Sequence, residues 1–226
     1  LIQHFEGWFI KTEKPLFNDN EATLMDFSIK QKNDTRFIYI LPFKSNEALV
    51  EFTLFSKSIL KKPEYEKVLK QYMTSKGINN YKILEKEKGI IPMTCYPFEK
   101  HNDSRLLFIG TAGGWTKASS GYTFKNIINK TELLINFLKK ENDLKKFNNK
   151  SRFNFYDLIL IDVLYNFNHL GNKIFSSLFM NNKPNKVFKF LDETTTFLDE
   201  LKIMYSFPWS IKILFIKALF KNLFKF

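Results

Sequence analysis

The sequence predicts a mixed α/β chain of α+β-like layout, with an antiparallel sheet in the first hundred residues and helices towards the end. Three observations carry this. Before residue 100, runs rich in β-branched and aromatic residues alternate with turn-like runs. Between residues 106 and 140, an apolar tetrapeptide leads through a glycine-rich turn into a helical stretch. Beyond Asn142 the pattern is helical, with breaks near Asn149, Gly171, Pro184 and Pro208. The resulting segments are 1–105, a sheet with one helix; 106–140, a strand–turn–helix; and 141–226, a helical region ending in a distinct helix at 209–226.

The sheet is expected from Gln3 to Thr12, Ala22 to Lys30, Arg36 to Phe43 and Glu47 to Ser56, separated by turns such as Asn18-Asp19-Asn20 and Lys32-Asn33-Asp34. Pro63 opens a helix to about Lys76, because proline's missing N–H costs nothing in a first helical turn, and Gly77 stops it. Tyr81 to Met93 returns to extended structure. Leu106-Leu107-Phe108-Ile109 reads as a short buried strand running into Gly110-Thr111-Ala112-Gly113-Gly114, then Ser120-Gly121-Tyr122 and a helix from about Phe124 to Lys139. Strand, glycine turn and helix together bring backbone close to a phosphate or a ring and aim a helix N-terminus at it. A purely structural glycine turn has the same pattern.

Of 226 residues, 44% are hydrophobic, enough for a core, and the net charge is +12. The only arginines are Arg36, Arg105 and Arg152. Nucleic-acid readers lean on arginine for bidentate contacts, so a lysine-rich balance points away from nucleic acid. It fits an anionic lipid surface or a solvated exterior. One cysteine, Cys95, excludes a disulfide framework and a cysteine-cluster metal site, and fits a reducing cytoplasm. His4, His101 and His169 have no ligand spacing, so no metal is expected. No stretch reaches the roughly 18 uncharged apolar residues of a membrane span. Trp209 to Phe226 is densely apolar and interrupted by Lys212, Lys217, Lys221 and Lys225, the last three within an arc of about 80° on a helical wheel. A cationic stripe beside Ile, Leu and Phe is the pattern of a helix lying in the membrane interface. A core helix with snorkelling lysines is the alternative.

Six motifs, taken in order, resemble one family. They are Gln3-His4-Phe5-Glu6-Gly7-Trp8; Met25-Asp26-Phe27 followed by Gln31; Phe37-Ile38-Tyr39-Ile40-Leu41-Pro42; Ala48-Leu49-Val50-Glu51-Phe52-Thr53; Ile91-Pro92-Met93; and Gly110-Thr111-Ala112-Gly113-Gly114 with Ser120-Gly121-Tyr122. The chain is similar to the flavin-dependent lycopene β-cyclases of bacteria, and the helical end shares the resemblance. The resemblance implies a flavin-monooxygenase-like fold: a dinucleotide-binding part, an antiparallel substrate sheet, a late flavin-contacting strand and terminal helices. No Gly-x-Gly-x-x-Gly occurs in the chain. That fingerprint holds a pyrophosphate at a helix N-terminus. The dinucleotide-binding part is therefore expected upstream of Leu1, which opens inside a strand.

The resemblance also implies the chemistry. A terminal double bond of lycopene, or of a related acyclic carotenoid, is protonated; a neighbouring double bond attacks the cation; loss of a proton leaves a β-ring. Reduced FAD is needed, with NAD(P)H as reductant, yet the reaction is an isomerisation with no net electron transfer. The family's acid falls on Glu51, with Asp26 as a supporting carboxylate. Phe52 stands where an acidic residue usually follows. From the residues alone, a carboxyl after the apolar run Ala48-Leu49-Val50 would hold its proton to higher pH, because burial disfavours charge, and would suit a general acid. A surface carboxylate on a strand is the other reading. Phe190-Leu191-Asp192-Glu193-Thr194 has a similar string but falls after the flavin motif, and reads as part of a solvated helix. The resemblance assigns flavin contacts to Gly110, Thr111, Ala112, Gly113, Gly114, Ser120, Gly121 and Tyr122; Thr111 replaces the Asp common in related flavoproteins.

This reading places the protein peripherally on the cytoplasmic side of a membrane. Two others are compatible with the sequence: another flavoenzyme on the same scaffold, such as an isoprenoid-lipid reductase or a hydroxylase, and a non-catalytic basic protein of the membrane surface.

Overall fold

The computed structural model describes residues 1–147 and 151–223. The chain divides into two compact units, one of Leu1–Ile91 with Phe167–Asn172, the other of Pro92–Asn166 with the rest from Lys173. The 106–140 segment lies wholly in the second unit.

The first unit is a five-stranded sheet with one helix. Strands β1 (Ile2–Thr12), β2 (Thr23–Asp26), β3 (Thr35–Lys44), β4 (Glu47–Ser56) and β5 (Tyr81–Pro92) lie in the order β2-β3-β4-β1-β5. The pairs β1·β4, β3·β4 and β2·β3 are antiparallel. Four of the five strands follow the alternating runs in the sequence closely. The exception is β2, where Ala22 to Lys30 is expected and only Thr23–Asp26 pairs. Met25 adopts a left-handed backbone (φ 53°) and Asp26 Oδ1 accepts the Ser28 N–H at 2.8 Å, which turns the chain out of the ladder.

Helix α1 (Lys62–Ser75) begins with Pro63 in its first turn and Glu64 reaching back to the Lys61 N–H at 3.0 Å. It covers one face of the sheet. Tyr65, Leu69, Tyr72 and Met73 pack there against Trp8 and Ile10 of β1, Ile38 of β3, and Val50, Phe52 and Leu54 of β4, all buried. His4 is part of this interior: its ring bonds Ser56 Oγ at 2.7 Å and lies edge-on to Tyr65. The 167–172 return closes the end of the sheet. Asn168 Oδ1 accepts the Thr35 N–H at 2.9 Å, and its amide donates to the Phe55 carbonyl at 2.7 Å.

Among its described residues the second unit contains helices and turns and no strand: α2 (Phe124–Leu138), α3 (Arg152–Phe167), α4 (Gly171–Met180), α5 (Pro184–Leu191), α6 (Phe197–Tyr205) and α7 (Trp209–Asn222). The buried strand expected at Leu106–Ile109 does not form. Leu106 and Ile109 are exposed, and the local hydrogen bonds are those of a turn, with Asp103 Oδ1 taking the Arg105 and Leu106 N–H groups and Asn102 Oδ1 taking that of Phe108. A strand needs a ladder partner, and this unit offers none.

The polar interior of this unit centres on Lys117. Its ammonium sits 3.1 Å from Asp157 and 3.0 Å from Glu193, Ser119 donates to Asp157 at 2.5 Å, and Ser151 donates to Glu193 at 2.9 Å. Burial opposes the charge on Lys117, but the two carboxylates outweigh it and raise its pKa. The reading of Glu193 as part of a solvated helix is therefore corrected. Glu193 lies just past α5 in a left-handed conformation (φ 61°) and is a partner of a buried cation.

Candidate active site

Glu51 stands in the middle of β4, the central strand, with Gly7 of β1 and Tyr39 of β3 as its cross-strand partners. Strand alternation sorts the β4 side chains into two sets. Val50, Phe52 and Leu54 belong to the core under α1, so Leu49, Glu51, Thr53 and Phe55 point to the other face. On that face the same registers bring Phe5 and Phe9 to either side of Gly7, and Phe37 and Leu41 to either side of Tyr39. Phe37 meets Tyr39 and Phe55 edge-on at 5.1 and 5.5 Å between ring centroids, and Phe9 stacks on Phe43 at 5.9 Å. The setting of Glu51 is therefore aromatic on both flanking strands.

Burial pushes the Glu51 carboxyl up from an ordinary 4.5 to about 7. The Thr53 hydroxyl, donating to Glu51 Oε1 at 2.5 Å, works against this; the like charge of Glu87 works with it. Glu87 is a residue that the sequence reading missed. It belongs to β5, next to β1 in the sheet, and occupies the space that Gly7 leaves: a β-carbon on Gly7 would stand 2.9 Å from Leu49 Cδ1 and 3.0 Å from Glu87 Oε1. A glycine inside a strand is the sequence signal of such a close approach, but it does not say which side chain makes it.

Asp26 is not brought to Glu51. Its strand pairs it with Ile38, on the α1 side of the sheet, where Tyr72 OH donates to Oδ2 at 2.7 Å and the Lys76 ammonium lies 3.0 Å away. Burial favours its protonated form, but the bonds from Ser28, Tyr72 and Lys76 outweigh it and hold the carboxyl at about 2. Asp26 is an ionised anchor between β2 and α1.

A carboxyl that keeps its proton near neutrality among aromatic faces can protonate a weakly basic π bond. The quadrupoles of Phe and Tyr rings can then stabilise the cation that results. The sequence profile described as lycopene cyclase protein matches residues 1–214. The chain belongs to the lycopene cyclase family. No curated protein sequence matches it. Among solved structures, a geranylgeranyl bacteriochlorophyll reductase-like protein from Thermoplasma acidophilum is similar, with a TM-score of 0.54 at 15% identity over 97% of this chain and 54% of the other. At that identity the likeness concerns the fold alone. The lycopene cyclase family chain thus spans about half the length of this structural relative.

The lycopene cyclase family suggests a flavoprotein scaffold, and the flavin contacts expected from the sequence fall on the Gly110–Tyr122 stretch. Gly110–Gly113 is a single 3-10 turn closed by Gly114 in a left-handed conformation (φ 69°). A β-carbon on Gly113 would fall 2.1 Å from the Phe108 carbonyl oxygen, and one on Gly114 would fall 2.6 Å from the Phe98 ring. The N–H groups of Gly113, Gly114 and Trp115 turn back to Ile109, Thr111 and Gly110, and that of Gly121 to Lys117, so these glycines build the turn itself. Thr111 and Ala112 stand exposed on it. Ser120 accepts the Tyr122 N–H at 3.4 Å, and the Thr123 hydroxyl donates to the Gly121 carbonyl instead of capping α2. The Thr111-Ala112 edge and the uncapped start of α2 are the parts of this lycopene cyclase family chain suited to hold an electron-rich ring edge.

Proposed function

We propose that the protein is a lycopene β-cyclase that works by acid–base catalysis, with Glu51 as the acid. The observation that carries this reading is a carboxyl held near pKa 7 on an aromatic sheet face, in a chain of the lycopene cyclase family. Glu51 gives its proton to the terminal double bond of lycopene, or of a related acyclic carotenoid. The neighbouring double bond attacks the tertiary cation and closes the ring. Loss of a ring proton leaves the β-end group. Tyr39, Phe5, Phe9 and Phe37 are the rings placed closest in register to face the charge. FAD, taken up in its reduced form with NAD(P)H as reductant, supplies an electron-rich ring that favours the cation, and no electrons pass to product. The deciding experiment is Glu51→Gln in the full-length enzyme, reading β-carotene against residual lycopene.

A peripheral place on the cytoplasmic face of a membrane belongs to the same reading, since the substrate is confined to the bilayer. Among the described residues no helix is long and apolar enough to cross a membrane. Helix α7 packs through Ile211, Ala218 and Asn222, which are buried, and turns Trp209, Ile213, Ile216 and Phe220 outward. Phe197, Leu198, Leu201 and Tyr205 of α6 are outward too, and the Lys212 ammonium lies 3.9 Å from the Tyr205 ring centroid. Exposed aromatics with lysines among them suit an anionic lipid surface. Lys225, part of the lysine stripe, lies outside the described residues.

The similarity to a reductase-like fold favours one other reading, flavin-dependent reduction of an isoprenoid chain. The product mass separates the two, because cyclisation conserves it and reduction adds hydrogen.

A further inference from the structure

Position 52 is excluded as the second acid of the site by geometry, whatever residue stands there. On a strand the neighbour of Glu51 faces the other way, and Phe52 is fully buried in the core under α1. A second carboxyl on Glu51's face has to arrive from a neighbouring strand. Glu87 does so across the gap at Gly7, with Oε1 3.0 Å and Cγ 3.1 Å from the point where a Gly7 β-carbon would stand. The gap is held by a reciprocal contact on the same two strands: the Phe5 ring lies over Gly89, within 2.4 Å of where its β-carbon would be. Phe5 fills the space at Gly89 and Glu87 fills the space at Gly7, so β5 is seated against β1 by two interlocking residues two positions apart on each strand.

We propose that Glu51 and Glu87 form a carboxyl pair that shares one proton across the gap left by Gly7, with Glu87 as the positioning residue that keeps this proton on Glu51. Two carboxylates in one half-buried space repel, and a single proton between them relieves the repulsion. Among the described residues of this unit, the charged groups near this face are engaged elsewhere. On this face of the unit, Glu47 lies at the start of β4 and is engaged by Lys11 and Lys44. Lys86 lies over the Trp8 ring and beside Glu66 on the α1 side, and Lys88, between Glu87 and Gly89, points the same way by alternation. From β3 the facing titratable group is the Tyr39 phenol, and the 167–172 return meets the sheet through the neutral Asn168.

The chemical use of the pair rests on the cyclase reading, and the proton count closes within it. The resting pair holds one proton and one negative charge. Breaking the Glu51 O–H bond forms the new C–H bond on the less substituted carbon of the terminal double bond, which puts the positive charge on its dimethyl-bearing carbon and leaves two carboxylates facing a tertiary carbocation. After ring closure, breaking a ring C–H bond forms the ring double bond and returns one proton to the pair. No oxidant or reductant is consumed.

The test is a titration of the glutamate side-chain carboxyl carbons by NMR in the labelled chain, with Glu51 assigned through Glu51→Gln. In Glu87→Gln the Glu51 midpoint is expected to move acidward from about 7, stopping above the ordinary 4.5 because burial remains. Gly7→Ala, which displaces the Glu87 carboxyl without removing it, is expected to move the midpoint the same way. In the enzyme, Glu87→Gln should shift the alkaline limb of the pH–rate profile acidward by the same interval, which a merely structural role would not do. A Glu51 midpoint unchanged in both variants overturns the pair, even if Glu51→Gln proves inactive. A shifted midpoint beside a fully active Glu51→Gln leaves the pair standing and overturns the cyclase reading instead.

Discussion

Glu87 lies over Gly7, and Gly7 stands directly opposite Glu51: a glycine in mid-strand is what lets two carboxyls from strands that are not neighbours share one space. Gly7→Ala would put a methyl group 2.9 Å from Leu49 Cδ1 and 3.0 Å from Glu87 Oε1. Both are ends of side chains that can yield, so the fold should survive at a cost of about 1 kcal/mol. Ring formation should fall with it. Urea unfolding alongside the cyclisation assay checks this, and a fully active alanine variant would show that the spacing at Gly7 is irrelevant.

Glu51→Gln keeps the shape of the side chain and one carbonyl acceptor, so the sheet around Val50 and Phe52 should be undisturbed. It has no acidic proton to give. Positioned acids typically contribute about 10²–10⁴-fold in rate, and a loss of that order in β-carotene formation is expected, with flavin content unchanged. Activity near that of the unmodified enzyme would mean that the proton comes from elsewhere.

The same carboxyl makes stability depend on pH. Its folded pKa, about 7, is raised above the ordinary 4.5. The folded chain therefore binds more protons than the unfolded one between these values, and stability falls as pH rises through the window. Glu51→Gln removes this contribution. The difference in unfolding midpoint between variant and unmodified chain should grow in the variant's favour from about pH 5 to about pH 8. A difference independent of pH would mean that Glu51 is solvated and ionises normally.

Lys117 and Glu193 should separate a structural ion cluster from the chemistry. Lys117→Met leaves Asp157 buried without its cation, and breaking such a pair costs about 3–5 kcal/mol. Glu193→Gln leaves Lys117 with Asp157 and removes a partner that is partly exposed, so about 1 kcal/mol is expected. Ring formation by folded Glu193→Gln should match that of the unmodified enzyme. A dead but folded Glu193→Gln would move the acid to the second string.

The outward faces of α6 and α7 can be tested without deleting either helix. Ile211 and Ala218 hold α7 in place, so truncation would confuse folding with binding. Trp209→Ser, Ile216→Ser and Phe220→Ser together change exposed positions only. Partitioning into vesicles of anionic lipid should weaken by at least ~10-fold. Unchanged partitioning would leave these side chains without a lipid role.

The sequence by itself determined the layout, because alternation and helix signals are local. The strands at Gln3–Thr12, Arg36–Phe43 and Glu47–Ser56, the helix opened by Pro63, and the breaks at Pro184 and Pro208 are readable from neighbours a few residues away. Glu51 could be singled out, since its apolar flanks and the family string both lie within six residues of it. What lies far apart in the chain was decided by the tertiary structure. The partner carboxyl at Glu87 depends on how β5 sits beside β1, and two strands whose gaps interlock through Phe5–Gly89 and Gly7–Glu87 leave no mark in either segment alone. Asp26 and Glu51 both come from strands of one sheet, but register puts one under α1 and the other on the opposite face. Leu106–Ile109 has the composition of a strand and forms none, because a ladder needs a second strand and composition does not supply it. Glu193 reads as solvated because the cation that claims it, Lys117, stands 76 residues away in the chain.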